Sequence, residues 1–218
     1  MIIKSSPHEI YEAFMDSKKH SKFTESKAKV SRETAETSII VELNIDGSGK
    51  FEVTTGIRMF DHLLTQLARH GNFDIKLSAS GVDQHHMVED VAISLGKAFN
   101  QALAEKRGIV RMAHAIVPMD DALAVVAVDI GGRAYSEIEA SFHETSIGKL
   151  NTDLVRHFLI SFASEAKINL HARVLTGIND HHKAEAIFKA LGRALDSATR
   201  IDERIVGRIP STKEVIET

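Results

Sequence analysis

The chain has no cysteine and no tryptophan. Without thiols it can form no disulfide, no thiolate nucleophile and no sulfur-ligated metal site, so metal chemistry would fall to its twelve histidines, helped by carboxylates. No apolar run approaches the roughly 18 residues that a bilayer-spanning helix needs. An excess of positive charge is also missing. With 27 Lys and Arg against 30 Asp and Glu the formal net charge is −3, which gives no bulk attraction to nucleic acid or to an anionic membrane. The early stretch HEIYEAFMDSKKH mixes Glu9, Glu12 and Asp16 with lysines and lacks a continuous apolar core. It reads as neither an export nor an organelle signal, so a cytoplasmic protein is expected. What is present, 218 residues with 43% hydrophobic and 26% charged side chains, suits one large domain or two small ones with a real core.

The stretch DQHHMVED, residues 83 to 90, returns as NDHHKAEA at 179 to 186. Around it FDHLLTQLARHGNFDIKLSASGVDQHHMVEDVAISLGKAF lies over VRHFLISFASEAKINLHARVLTGINDHHKAEAIFKALGRAL with one gap, so His62 falls on His157, His85 on His181, His86 on His182 and Glu89 on Glu185. Upstream, SIIVELNIDGSGKFEV parallels LAVVAVDIGGRAYSEI, each an alternating run, a glycine turn and a second run. Each half therefore reads strand, turn, strand, helix, strand, helix. The expected fold is α+β and internally duplicated, each half a sheet with helices packed on one face. The first half runs from about 28 to 108 and the second from about 109 to 200, followed by a tail at about 201 to 218. Residues 1 to 27 fall outside the repeat, and Ser6, Pro7 and Glu9 there suggest a capped short helix.

In the helix around Phe60 to Arg69, apolar residues recur at 60, 63, 64, 67 and 68, while His62, Gln66 and His70 form a polar stripe on another face. On a helix His85 and Glu89 share a face, whereas the adjacent His86 points about 100° away. A lone buried histidine is usually structural. The duplication argues otherwise, because packing does not require the same ligand types at the same offsets twice. Asp90 has no carboxylate counterpart, only Ala186, and reads as a supporting or surface charge. Six histidines and two glutamates suffice for two ions, each with three imidazoles and one carboxylate and with positions left open for water or substrate. If adjacent histidines diverge, each motif can serve two ions, lying between halves or between subunits. Zinc, iron, manganese and nickel all suit such ligands. His8, His20, His114, His143 and His171 lack matching partners and read as surface or structural.

The stretches RETAETSIIVELNIDGSGKFEVTTGI, FDHLLTQLARHG, HHMVEDVAISLG, DIGGRAYSE, NDHHKAEAIFKALGRAL and IPSTK, in this order over about residues 28 to 216, resemble the imidazoleglycerol-phosphate dehydratase family of histidine biosynthesis. The resemblance implies a duplicated fold like ribosomal protein S5 domain 2, two Mn²⁺ ions per active site, and a 24-subunit shell with sites at subunit contacts. The family's ligands map onto His62, His85, His86, Glu89, His157, His181, His182 and Glu185, the set the repeat selects. The implied reaction removes water from imidazole glycerol phosphate to give imidazole acetol phosphate. A substrate ring that has lost its proton can push electrons into its side chain and expel hydroxide from the neighbouring carbon; loss of the next carbon's proton gives an enol, which becomes the ketone.

By the same match Glu36 is the acid/base, although alone it would read as a solvated charge at a strand start. Arg111, Arg133, Lys189, Ser211, Thr212 and Lys213 would hold the phosphate, and Gln66 and His70 would touch the substrate. The loop between Gly81 and His85 is about three residues shorter than in many family members, and Gln84 stands where an aspartate is common. Two other readings are a dinuclear metallohydrolase and a non-catalytic metal-binding shell.

Overall fold

The computed structural model describes residues 26–216. Of the segment 1 to 27, in which a short helix is expected, all but the last two residues lies outside them. The first half contains β1 (Lys27–Glu33), β2 (Thr37–Asn44), β3 (Phe51–Thr54), α1 (Arg58–His70), β4 (Asp74–Gly81) and α2 (Gln84–Ala102). The second contains β5 (Met112–Met119), β6 (Ala122–Asp129), β7 (Tyr135–Glu139), the two-residue strands β8 (Ser146–Ile147) and β9 (Leu150–Asn151), α3 (Asp153–Ala166), β10 (Asn169–Thr176) and α4 (Asp180–Thr199).

The sheets run β1-β2-β4-β3 and β5-β6-β10-β7, each with two antiparallel pairings followed by one parallel pairing. Period-two alternation buries Ile39, Val41 and Leu43 on β2 and Ala124, Val126 and Val128 on β6, turning one face of each sheet toward its helices. Helix α2 backs onto β1 and β2, and α4 backs onto β5 and β6. Between halves the packing is reciprocal: α2 lies along α3, and α1 along α4. Phe99 meets Phe162 with ring centroids 5.8 Å apart, Phe158 meets Phe188 at 5.1 Å, and Phe60 meets Phe158 at 5.5 Å. Burial of each such ring stabilises the fold by roughly 1.5–3 kcal/mol.

Two equivalent glycines let these helices approach. A Cβ on Gly96 would lie 2.6 Å from the Phe162 carbonyl oxygen of α3, and one on Gly192 would lie 2.7 Å from the Leu67 carbonyl oxygen of α1. Only a residue without a side chain permits such contact between backbones.

Three features go beyond the sequence reading. Strands β1 and β5 precede the expected strand–turn–strand unit, and Lys27 already belongs to β1. Their signal is weak because β1, KAKVSRE, puts only Ala28, Val30 and Arg32 on the inner side. The hairpin of β8 and β9 is too short for periodicity to register. Among the described residues no helix is long and apolar enough to cross a membrane.

Candidate active site

The polar stripe of α1 faces α4, and its counterpart on α3 faces α2. His62 Nε2 lies 2.9 Å from Glu185 Oε2, and His181 Nε2 lies 3.1 Å from the same oxygen. Across the other helix pair His157 joins His85 and Glu89, the His85 and His157 rings stacking at 4.7 Å. In each trio one ligand atom per residue lies within 4.8 Å of the others. Each trio draws its lone histidine from one half and its histidine–glutamate pair from the other.

The donor sets fit a divalent ion. His157 Nε2 is buried without a hydrogen-bond partner, and Glu89 Oε1 stands 3.5 Å away without hydrogen-bond geometry. A buried ring nitrogen in that condition needs an acceptor, a donor or a cation. Burial raises the cost of ionising Glu185, but hydrogen bonds from Lys189, His62 and His181 outweigh it and pull the carboxyl from 4.5 to about 2. Its Oε1 lies 2.7 Å from Lys189 Nζ. Glu185 is thus an anion ready to meet positive charge. His70 is pushed toward its neutral form by burial and then by the charges of Lys189 and Arg193.

His86 and His182 do not join these trios, as their position beside His85 and His181 predicts. Each is held at Nδ1 by an aspartate, but not by equivalent ones. His86 Nδ1 lies 2.5 Å from Asp83 Oδ2, and Asp83 also caps α2 by accepting the His86 N–H at 3.0 Å. That hydrogen bond first of all raises the His86 pKa. In the second half the capping residue is Asn179, which accepts from the His181 and His182 backbone. There Asp121, from the β5–β6 turn, lies 2.6 Å from His182 Nδ1 and accepts the Ile178 and Asn179 N–H groups at 2.5 and 3.0 Å. These contacts, His182 foremost, hold the Asp121 carboxyl far below the usual range.

The alignment that puts Ser38 on Leu123 puts Glu36 on Asp121. Asp121 is fully engaged. Glu36 is not, because Asp83 already performs the orienting task on its side. Its carboxylate is half exposed, 3.3 Å from His86 Nε2. A half-exposed carboxylate whose one charged contact among the described residues is a fixed imidazole can accept and return a proton.

The expected phosphate contacts gather elsewhere. Arg111 holds Asp129 through Nε and Nη2 at 2.6 and 3.0 Å, and its Nη1 donates to the Pro210 carbonyl at 2.8 Å, which docks the tail just before Ser211, Thr212 and Lys213. A Cβ on Gly131, two residues before the exposed Arg133, would lie 3.3 Å from Arg111 Nη2. Lys189 instead stands with the first trio, 3.2 Å from Met119 Sδ. Gln66 and His70 remain half-buried on the α1 stripe. The Arg111 N–H donates to the Ala198 carbonyl at 2.8 Å, thirteen residues beyond Glu185 on α4, which puts the Arg111–tail group about 20 Å along that helix from the first trio.

A family model described as imidazoleglycerol-phosphate dehydratase matches residues 55–195. The protein of that name from Dehalococcoides mccartyi is 59% identical over 194 residues, covering 89% of this chain and 99% of that protein. The chain belongs to the imidazoleglycerol-phosphate dehydratase family. The imidazoleglycerol-phosphate dehydratase of Methanothermobacter thermautotrophicus is 52% identical over 185 residues, 84% of this chain and 93% of that one. Among solved imidazoleglycerol-phosphate dehydratases, that of Pyrococcus furiosus superposes with a TM-score of 0.76 at 37% identity, covering 86% of this chain and 100% of that one. The Staphylococcus aureus structure gives 0.75 at 30%, covering 81% and 99%.

Several residues around the site escaped sequence reasoning. Of the two readings of Asp90 the structure bears out the supporting charge, since Asp90 is buried, but its partners Arg32 and Thr37 were not foreseen. Asp180 and Lys183 form a buried ion pair at 2.8 Å, and Lys183 Nζ also reaches Nδ1 of the exposed His143 at 2.9 Å. Asp83 carried a readable signal, an N-cap aspartate before a helical run. Asp121 carried none, since its partners lie some 60 residues onward in the chain.

Proposed function

We propose that the chain catalyses the metal-dependent dehydration of imidazole glycerol phosphate to imidazole acetol phosphate, in the cytoplasm, as a step of histidine biosynthesis. Family membership supports the reaction. The observation that carries the metal dependence is the pair of equivalent trios, His62–His181–Glu185 and His85–Glu89–His157, one with a buried, unpartnered imidazole nitrogen.

Two Mn²⁺ ions per site, when bound, would supply the positive charge that makes the substrate's ring proton removable and the resulting anion tolerable. The trios would hold them, with His86 and His182 completing the ligand set. Asp83 and Asp121 fix the Nδ1 of those two imidazoles, so each offers only Nε2. Glu36 takes the ring proton and gives it to the hydroxyl, which departs as water, and then takes the next carbon's proton and hands it back to the ring nitrogen. Arg111, Arg133, Lys189, Ser211, Thr212 and Lys213 bind the phosphate, and Gln66 and His70 line the approach. The neutral form favoured at His70 lets it accept as well as donate a hydrogen bond.

His86 and His182 stand outside the trios of their own chain, and the Arg111–tail group stands apart from both. These separations support sites completed by neighbouring copies, in a shell of 24 subunits. Glu36→Gln tests the mechanism. It should bind Mn²⁺ and assemble normally while losing about 10²–10⁴ in turnover, the usual range for a general acid/base. Near-normal turnover by the assembled variant would remove Glu36 from the chemistry.

A further inference from the structure

The two halves differ at one buried spot beside the turn that carries Glu36. In the first half Asp90, 6% exposed, accepts from Arg32 Nε at 2.7 Å and from the Thr37 hydroxyl. The register places Arg32 opposite Ile39 on the β1–β2 pair and Val117 opposite Ala124 on the β5–β6 pair. Thr37 and Ala122 each open the second strand, and Asp90 and Ala186 each follow the trio glutamate. The polar group Arg32–Thr37–Asp90 therefore occupies the same place as the apolar group Val117–Ala122–Ala186. Val117, Ala122 and Ala186 are all buried.

The second half shows within the same molecule that apolar residues satisfy the packing at this spot. Replacing a buried ionic group by packed apolar residues is often neutral or stabilising, so stability alone does not explain a charge here. Its position does. Asp90 projects from α2, the helix that displays His85, His86 and Glu89, and its partner Thr37 directly follows Glu36. The Glu36 and Thr37 N–H groups both donate to Thr34 Oγ1, at 3.1 and 2.9 Å, and the Glu36 carbonyl accepts from Val82 at 3.2 Å. The turn is thus rigid in itself, and Asp90 ties it to the helix bearing the histidines. In the second half the corresponding tie is made by Asp121, through its own carboxylate. Glu36 cannot serve as a tie and still exchange protons.

We infer that Arg32, Thr37 and Asp90 are positioning residues that hold the Glu36 turn in register with His86, leaving the Glu36 carboxylate free for proton transfer. The inference rests on the reading of Glu36 as the acid/base. A misplacement of about 1 Å can cost on the order of 10²-fold in rate.

The test grafts the second half's solution onto the first: Arg32→Val, Thr37→Ala and Asp90→Ala together, in the full chain, with and without Glu36→Gln. Asp90→Asn is carried alongside and serves if the graft does not fold. The folded graft should keep its melting temperature, Mn²⁺ affinity, assembly and KM, and lose about 10- to 100-fold in kcat. In the Glu36→Gln background the same substitutions should change kcat less than about twofold, because residues acting through one group are not additive. Unchanged kcat in the folded variant would overturn the inference. So would an equal loss in both backgrounds, or a loss of Mn²⁺ affinity, which would place the action at Glu89. Failure of the Glu36 reading is separate, since it shows as near-normal turnover by Glu36→Gln alone.

Discussion

Gly192→Ala places one methyl group where α4 crosses α1, 2.7 Å from the Leu67 carbonyl oxygen and 2.8 Å from the Gly71 nitrogen. Both neighbours are backbone and cannot rotate aside. Ordinary contact begins at 3.4 Å, so the helices must separate by roughly 0.7 Å. Overpacking of this kind costs about 1–3 kcal/mol, offset by about 1 kcal/mol from replacing glycine inside a helix. The net loss, about 0–2 kcal/mol, lowers the melting temperature by at most several degrees in a chain of this size. The larger effect falls on the site. His62 rides on α1 while His181 and Glu185 ride on α4, so the same movement draws one ligand away from two. A loss of about 1.4 kcal/mol is tenfold in affinity. A Mn²⁺ titration should show one class of sites weakened by at least about tenfold and the other unchanged. Gly96→Ala, at the α2–α3 crossing, should weaken the other class. If both variants bind Mn²⁺ at wild-type affinity, the helix crossings do not set the ligand geometry.

In the metal-free protein the hydrogen bond to Asp83 raises the His86 pKa above 6.5, so this contact stabilises the fold fully below 6.5 and less as pH rises through the folded value. The His86 NMR titration midpoint should lie above 6.5 and fall in Asp83→Asn; an unmoved midpoint would dismiss the contact. Glu185, held at about 2 against 4.5, acts oppositely: its contribution is complete above 4.5 and disappears as pH falls toward 2. Urea unfolding of the metal-free chain should show wild type ahead of Glu185→Gln by roughly 2–3 kcal/mol at pH 6, with the gap closing below pH 4.5. A constant gap would mean that the carboxylate's charge is not what stabilises. Chelation at neutral pH should yield smaller oligomers by light scattering, and restored Mn²⁺ should rebuild the large particle, because metal binding and subunit association share free energy. A metal-free protein of undiminished mass at every concentration would refute shared sites.

The duplicated HHxxE motif made the six members of the trios legible, since helical periodicity puts His85 with Glu89 and His181 with Glu185, and the repeat supplies His62 and His157 as equivalents. The swap between halves, which pairs His62 with the second motif and His157 with the first, was not legible. It follows from how α1 crosses α4 and α2 crosses α3, and these contacts depend on Gly96 and Gly192 as much as on apolar stripes. The alternation of β2 and β6 was clear because every inner residue is apolar, from Ile39, Val41 and Leu43 to Ala124, Val126 and Val128. Strand β1 was hidden by Ala28 and Arg32 on its inner side. Asp121 and the Arg32–Thr37–Asp90 group were invisible for a related reason. Their partners are distant in sequence, and an aspartate in a hairpin turn or on a helix reads as a solvated charge until its neighbours are known.

Metal-dependent dehydration is tested by a time course with purified chain and imidazole glycerol phosphate, before and after chelation, following imidazole acetol phosphate and inorganic phosphate together. The Mn²⁺-loaded protein should form the keto product, lose that activity on chelation, regain it with added Mn²⁺, and release no phosphate. Release of inorganic phosphate would make the chain a hydrolase, and undiminished dehydration by fully metal-free protein would contradict the metal-dependent site built from the two trios.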